Sequence, residues 1–121
     1  MATVMVVDDD ESIRALLQRL LTGAGYDVVV AEDAVVAGHM VLESPPDLIV
    51  LDVTMPYMSG FEFAAILNAD QTVPFIPVIF LTSREDGHDR AMALGAVGYI
   101  NKPVERDTLL ALVRQHLPQR A

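Results

Sequence analysis

The sequence of 121 residues contains no cysteine, and this absence removes several kinds of site from consideration. Without thiols the chain can form no disulfide framework, no thiolate metal centre and no cysteine nucleophile. No apolar run approaches the roughly 20 residues that span a bilayer, so no membrane segment is predicted. The opening MATVMVVDDD lacks a basic start and ends in three acids, so we expect no signal peptide and a cytoplasmic protein.

Basic residues are also scarce, with 8 lysines and arginines against 17 acidic residues and a formal net charge of −9. A nucleic-acid partner requires a basic footprint, which this sequence lacks, so none is predicted. Hydrophobic residues make up 52% of the chain and the mean hydropathy is +0.37, as in a folded globular domain. The length suits one domain, and we expect residues 1–121 to fold as a single unit.

Short apolar runs alternate with amphipathic segments along the chain. The runs are almost continuous in valine, isoleucine and leucine, which is typical of strands buried on both faces. They predict five strands, at Thr3–Val7, Tyr26–Val30, Leu48–Leu51, Val78–Leu81 and Val97–Ile100. The other segments predict helices over 11–22, 33–43, 60–69 and 85–94, and a fifth after Pro103. This strict alternation predicts an α/β fold with a doubly wound parallel sheet covered on both faces.

The predicted fourth helix has an unfavourable start. Gly87 falls in its first turn, where glycine costs about 1 kcal/mol relative to alanine. We therefore expect this turn to be the least stable helix start in the molecule.

Polar residues follow the predicted strands at the edge of the sheet where open parallel sheets bind ligands. They carry carboxylates, hydroxyls and one ammonium: Asp8-Asp9-Asp10 after strand 1, Asp52 after strand 3, Thr82-Ser83 after strand 4 and Lys102 after strand 5. Carboxylates held close together repel one another, and a bound divalent cation removes that conflict. Oxygen ligands suit Mg²⁺. A zinc site is not expected, because the three histidines are scattered over different predicted helices.

Asp52 is the best candidate for a nucleophile, because it stands alone at the end of an interior strand. The adjacent Asp8 and Asp9 are better placed to hold a metal ion. A carboxylate can attack phosphorus to give an aspartyl phosphate. Lys102, the only lysine in the chain, can pair first with a carboxylate and then with phosphoryl oxygens.

Each of these residues also has an ordinary structural interpretation. Asp10 is more simply a helix cap, and Asp52 alone could be a turn residue. Thr82 and Glu85 have the spacing of a capping box, and Lys102 alone would be a solvated surface charge. The functional interpretation rests on the coincidence of four strand ends with compatible chemistry at one edge.

Four motifs make the sequence resemble the receiver domain of bacterial two-component response regulators, over essentially its whole length. They are VMVVDDD at 4–10, PDLIVLDVTMPYMSGFEF at 46–63, IFLTS at 79–83 and GAVGYINKP at 95–103. Each motif is weak alone, but the four in this order are highly specific. The resemblance implies a flavodoxin-like receiver fold with strand order 2-1-3-4-5.

The resemblance also implies a role for each matching residue. Asp52 matches the phosphoacceptor, Asp9 a direct Mg²⁺ ligand and Asp8 a ligand that acts through water. The other matches are Thr54, whose backbone carbonyl would bind the metal; Thr82, the switch hydroxyl; Ser83, which keeps the phosphoryl pocket open; Tyr99, the aromatic that turns inward on activation; and Lys102, which binds phosphate and precedes a cis bond to Pro103. Without the resemblance, Tyr99 is a half-buried aromatic on an edge strand. Arg84 is expected to lie in solvent.

The implied function is signalling, not turnover as an enzyme. A sensor histidine kinase or phosphotransfer protein would donate a phosphoryl group to Asp52. Thr82 and Tyr99 would then shift the population of two states. The face formed by helix 4, strand 5 and helix 5 is the expected surface for a downstream protein or a self-dimer.

Three other interpretations stay open at this point. A haloacid-dehalogenase-type phosphatase also uses an aspartate nucleophile, Mg²⁺ and a lysine, but it needs an acid where this chain has Thr54. A nucleotide or flavin binder needs a glycine-rich loop after strand 1, where this chain has three acids. A receiver-like interaction module that is not phosphorylated would share the fold. The sequence identifies neither the kinase nor the output.

Overall fold

The computed structural model describes residues 2–83 and 86–117, which form five parallel strands and five helices in alternation. The strands are β1 (Thr3–Val7), β2 (Asp27–Ala31), β3 (Leu48–Asp52), β4 (Val78–Thr82) and β5 (Gly98–Asn101). The helices are α1 (Glu11–Gly23), α2 (Ala34–Glu43), α3 (Gly60–Ala69), α4 (His88–Ala93) and α5 (Arg106–His116). The strand order is β2-β1-β3-β4-β5, which confirms the predicted fold.

The sheet separates two apolar layers, because successive strand residues point to opposite faces. One layer lies under α2, α3 and α4 and contains Met5, Ile49 and Phe80. The other lies under α1 and α5 and contains Val6 and Val50. All residues of β3 and β4 are buried, which explains why the first four residues of each strand are apolar without interruption. None of the described helices is long and apolar enough to cross a membrane.

The strands β3 and β4 each extend one residue further than their sequences suggest. Asp52 is the last residue of β3 and pairs with Leu81. Thr82 is the last residue of β4 and pairs with Asn101. Backbone groups make the ladder, so pairing continues past the point where the side chains become polar. The sheet itself therefore holds these two side chains.

The fourth helix begins later than its sequence predicts, while the low stability of its first turn stays a prediction. The helix α4 begins at His88, and Gly87 is its N-cap. A Cβ atom on Gly87 would lie 2.9 Å from Phe61 Cζ and 3.0 Å from the Tyr99 hydroxyl oxygen. Close packing thus accounts for this glycine. Arg84 and Glu85, including the predicted capping box, lie outside the described residues.

Gly60 lets α3 start directly against the end of β3. A Cβ atom on Gly60 would overlap the carbonyl oxygen of Asp52 and lie 3.1 Å from Val53 Cα. The Gly60 N–H also donates a hydrogen bond of 2.8 Å to the Val53 carbonyl. All of these neighbours are backbone atoms, which cannot rotate aside.

Gly60→Ala should therefore lower the free energy of unfolding by about 1 to 3 kcal/mol, as overpacking does in other proteins. Gly23→Ala is the matched control, because an added Cβ at the end of α1 meets nothing within 4 Å. The control should be neutral or slightly stabilising. Urea denaturation measures both variants, and equal stabilities would contradict the close approach at Gly60.

Candidate functional site

Three carboxylates meet at the carboxyl ends of β1 and β3. Ligand oxygens of Asp8, Asp9 and Asp52 all lie within 4.8 Å of one another. Asp8 and Asp52 are buried, with exposures of 0% and 3%, whereas Asp9 is exposed. Within residues 2–83 and 86–117, this is the only cluster of three acids or histidines that could hold a metal ion. The predicted convergence of these acids is therefore observed.

Lys102 lies beside the two buried carboxylates. Its Nζ atom is 3.1 Å from Asp8 Oδ2 and 3.3 Å from Asp52 Oδ1. The backbone N–H of Lys102 donates a hydrogen bond of 2.8 Å to the Thr82 carbonyl, which fixes the backbone just after β5. The bond from Lys102 to Pro103 is cis, as the resemblance implied. One ammonium facing three carboxylates leaves an excess of negative charge.

The two oxygens of Asp8 differ in their partners. Asp8 Oδ1 accepts a hydrogen bond of 2.9 Å from the Asp10 N–H. Asp8 Oδ2 is buried, and in the described part of the chain it has no hydrogen-bond partner beyond its ion pair with the Lys102 ammonium, 3.1 Å away. A buried oxygen in this position has unused capacity as an acceptor. An all-oxygen donor set with one such atom fits Mg²⁺.

Burial and the neighbouring Asp8 carboxylate raise the pKa of Asp52 from 3.8 to about 6. Lys102 and the Thr54 N–H, 3.4 Å from Asp52 Oδ1, act in the opposite direction but do not cancel the effect. Burial tends to lower the pKa of Lys102, but the Asp8 and Asp52 carboxylates outweigh it, so that pKa is raised. The surroundings therefore destabilise the ionised form of Asp52 and stabilise the ammonium.

The other predicted site residues differ in how far they are buried. Thr82 is buried at the end of β4, with an exposure of 1%, and Ser83 follows it on the surface. Thr54 is exposed, two residues after Asp52. Tyr99 is half-buried on edge strand β5, where it packs against the apolar layer under α2, α3 and α4. Its ring centroid is 5.5 Å from that of His88.

Asp10 has the structural role predicted for it. Its carboxylate accepts hydrogen bonds of 2.8 Å from the Ser12 N–H and 3.3 Å from the Ile13 N–H, and so caps α1. The third acid of the motif is therefore directed to the helix, outside the carboxylate cluster.

Arg14 contacts the site although its sequence position does not predict this. Its guanidinium Nη1 donates a hydrogen bond of 2.6 Å to the backbone carbonyl of Asp8. This charge-assisted bond ties α1 to the peptide that links Asp8 to Asp9. An arginine six residues after an acid gives no specific sequence signal, because a first-turn arginine usually points into solvent.

The raised pKa of Asp52 makes the stability of the metal-free protein depend on pH. Below about pH 4 the carboxyl is protonated in both the folded and the unfolded chain. As the pH rises through about 6, the folded chain must release a proton that it holds more tightly than the unfolded chain does, so stability is lost. Asp52→Asn removes this loss.

In EDTA, Asp52→Asn should exceed the wild type in free energy of unfolding by about 1 to 2 kcal/mol near pH 8, after allowance for solvent screening. The two proteins should be similar near about pH 4. Asp10→Asn controls for the loss of one charge, because asparagine caps a helix as well as aspartate does. Urea denaturation across this pH range checks the prediction, and a gain that does not change with pH would contradict it.

Comparisons of the sequence with known proteins identify one family. The family described as "Response regulator receiver domain" matches residues 4–114. The chain is 39% identical over 116 residues to the DNA-binding response regulator MtrA of Mycolicibacterium paratuberculosis. The aligned region covers 94% of this chain and 50% of that protein. It is 32% identical over 117 residues to protein PilG of Pseudomonas aeruginosa, and the aligned region covers 95% of this chain and 87% of that protein. The chain thus spans about half the length of the MtrA proteins that it matches.

Solved structures agree with the sequence comparison. Chemotaxis protein CheY4 of Vibrio cholerae superposes with a TM-score of 0.89 at 35% identity, covering 97% of this chain and 99% of that one. Response regulator TrrA of Thermotoga maritima, solved in complex with Mg²⁺ and BeF, has a TM-score of 0.87 at 30% identity, covering 97% of this chain and 100% of that one. On this evidence, the chain belongs to the family of response regulator receiver domains.

Proposed function

We propose that this receiver domain accepts a phosphoryl group on Asp52 from the phosphohistidine of a sensor histidine kinase or a phosphotransfer protein. The observation that carries the proposal is the cluster of Asp8, Asp9 and Asp52, whose ligand oxygens lie within 4.8 Å of one another. Lys102 supplies the one ammonium beside them. The domain would comprise residues 1–121 and act in the cytoplasm.

In the proposed transfer, an oxygen of the Asp52 carboxylate attacks the phosphorus of the donor. A new O–P bond forms as the P–N bond breaks, and the histidine nitrogen leaves with the electron pair and takes a proton from solvent. The Lys102 ammonium, 3.3 Å from Asp52 Oδ1, stabilises negative charge on the phosphoryl oxygens. In the return step water attacks the phosphorus, the bond to the Asp52 oxygen breaks, and inorganic phosphate is released.

Asp8, Asp9, Asp52 and the backbone carbonyl of Thr54 would hold a Mg²⁺ ion. The oxygen-only donor set and the buried Asp8 Oδ2 without a hydrogen bond support this assignment. Bound there, the ion would offset the charge of the carboxylates and of the transferred phosphoryl group. Arg14 contributes indirectly, because its bond to the Asp8 carbonyl keeps the two adjacent acids in place.

Thr82 and Tyr99 would transmit phosphorylation at Asp52 to the face formed by α4, β5 and α5. The Thr82 hydroxyl would move toward the phosphoryl group, and the small, exposed Ser83 would leave room for it. Tyr99 touches the ring of His88 in α4, so a change in its position would reach that helix. The face of α4, β5 and α5 would then bind a downstream protein or a second copy, and the chain would act as a switch instead of a turnover enzyme.

With Mg²⁺ and acetyl phosphate, the wild type should gain the mass of one phosphoryl group, which base should remove. Asp52→Asn should gain none, because its amide is not a nucleophile. Asp107→Asn is the control, since this acid is exposed on α5. Mass spectrometry gives the stoichiometry. Rapid consumption of acetyl phosphate without accumulation of the phosphorylated chain would indicate a phosphatase and contradict the proposal.

The metal assignment has its own test in two neighbouring acids. Asp9→Ala should abolish measurable binding of Mg²⁺, because it removes a carboxylate ligand. Asp10→Ala should leave the affinity nearly unchanged but lower the free energy of unfolding by about 1 kcal/mol through loss of the helix cap. Isothermal titration calorimetry and urea denaturation separate the two effects. Equal losses of Mg²⁺ affinity would show the assignment to be wrong.

A further inference from the structure

A groove between α2 and α3 lies outside the phosphoryl site. We define this α2–α3 groove by six of its lining residues: Val35, Gly38, Leu42, Phe63, Ile66 and Asp70. Its volume is about 240 Å³. Three of its aliphatic side chains are more than half exposed, at 55% for Val35, 63% for Leu42 and 51% for Ile66. Grouped apolar exposure of this kind marks a surface that binds another molecule.

Gly38 gives the groove its room. It lies inside α2, where glycine is among the least favourable residues for a helix. The fold does not require glycine there, because an added Cβ would meet only Phe63 Cε1, at an ordinary 3.7 Å. Gly60, by contrast, touches backbone atoms of β3. Packing within the domain therefore does not explain why α2 contains glycine at position 38. A molecule bound in the groove would explain it, because a larger side chain there would occupy the same space.

The formal charges on the two groove helices are all negative, and His39, which also lines the groove, adds none in its neutral form. No lysine or arginine occurs between Arg19 and Arg84, a stretch that contains both helices and eight acidic residues. Glu43 ends α2 on the surface, and Asp70 both caps the end of α3 and lines the groove. The groove is thus apolar along its length and acidic where the two helices end.

The negative charge at Asp70 persists into acid solution. Its carboxylate accepts hydrogen bonds of 2.6 Å from the Thr72 hydroxyl and 2.9 Å from the Thr72 N–H. These bonds lower the pKa of Asp70 below its usual value.

These charges discriminate among possible occupants. A second copy seated on its own α2–α3 groove would bring acids against acids and supply no lysine or arginine, because neither residue occurs in either helix. An anionic membrane surface would be repelled in the same way. The two groove helices have 10 residues each, so the groove is about 15 Å long, the length of nearly three helical turns.

We propose that the α2–α3 groove binds a short amphipathic helix of a partner protein. Apolar residues of that helix, spaced i, i+3 or i+4, and i+7, would fill the groove between Leu42 and Ile66. Lysine or arginine at its end would face Glu43 and Asp70. The site is independent of phosphorylation at Asp52.

Two synthetic helical peptides of roughly 15 residues test the proposal. Both carry leucine along one face, and they differ only in having lysine or glutamate beside it. Each is titrated into the isotope-labelled full chain while amide chemical shifts are followed. The lysine peptide should give saturable shifts concentrated in α2 and α3, and the glutamate peptide should give none.

Variants locate the binding. Ile66→Ser and Gly38→Leu, which respectively remove a wall of the groove and fill it, should each weaken binding about tenfold or more. Leu16→Ser removes a comparable exposed side chain from α1, on the opposite face of the sheet, and should change the affinity less than about twofold. Asp52→Asn should bind the lysine peptide as the wild type does, so failure of the phosphorylation proposal would leave this result unchanged.

Three outcomes would overturn the inference. Shifts spread over α1, α5 and the carboxylate cluster would indicate non-specific attraction to an acidic protein. Equal binding of the glutamate peptide would indicate apolar adhesion without charge selection. Concentration-dependent dimers in sedimentation that Ile66→Ser abolishes would show that a second copy occupies the groove.

Discussion

The sharing of one ammonium by two buried carboxylates is the interaction on which the rest of the site depends. Lys102 Nζ lies 3.1 Å from Asp8 and 3.3 Å from Asp52, and neither carboxylate can turn into solvent because both are buried at strand ends. Burial and the neighbouring Asp8 carboxylate together outweigh Lys102, and the pKa of Asp52 rises to about 6. A group destabilised as an anion gains from any neighbour or reaction that offsets its charge, which suits it to a cation site and to phosphoryl transfer.

The fold could be predicted because the strands are buried on both faces and therefore consist of nearly continuous apolar residues. The convergence of Asp8, Asp52 and Lys102 followed from that prediction alone, since the carboxyl ends of parallel strands meet at one edge. The start of α4 could not be predicted. A glycine at position 87 suggests a weak helix start, but close packing against Phe61 and Tyr99 is what requires glycine there. Those two residues are distant in sequence, so no local pattern reveals the contact.

The contact of Arg14 with the site could not be predicted from the sequence either. Its role depends on the direction of a long side chain, which turns back from α1 to the Asp8 carbonyl. Helical periodicity assigns a residue to a face of the helix but does not say whether a guanidinium reaches solvent or a neighbouring backbone. The adjacent Asp10 shows the reverse case, because the preference of aspartate for N-caps is strong enough to predict its contacts with α1.

The helix α3 connects the carboxylate cluster to the α2–α3 groove, and its anchoring decides whether the two sites influence each other. Its first residue, Gly60, lies against the backbone of Asp52 and donates to the Val53 carbonyl. A reciprocal capping box of Ser59 and Glu62, with two hydrogen bonds of 3.1 Å, closes the same turn. Coupling requires an element with two arrangements that both ligands bias. The tight start of α3 favours one arrangement, so the groove should bind its partner in both phosphorylation states, and α4 should carry the signal.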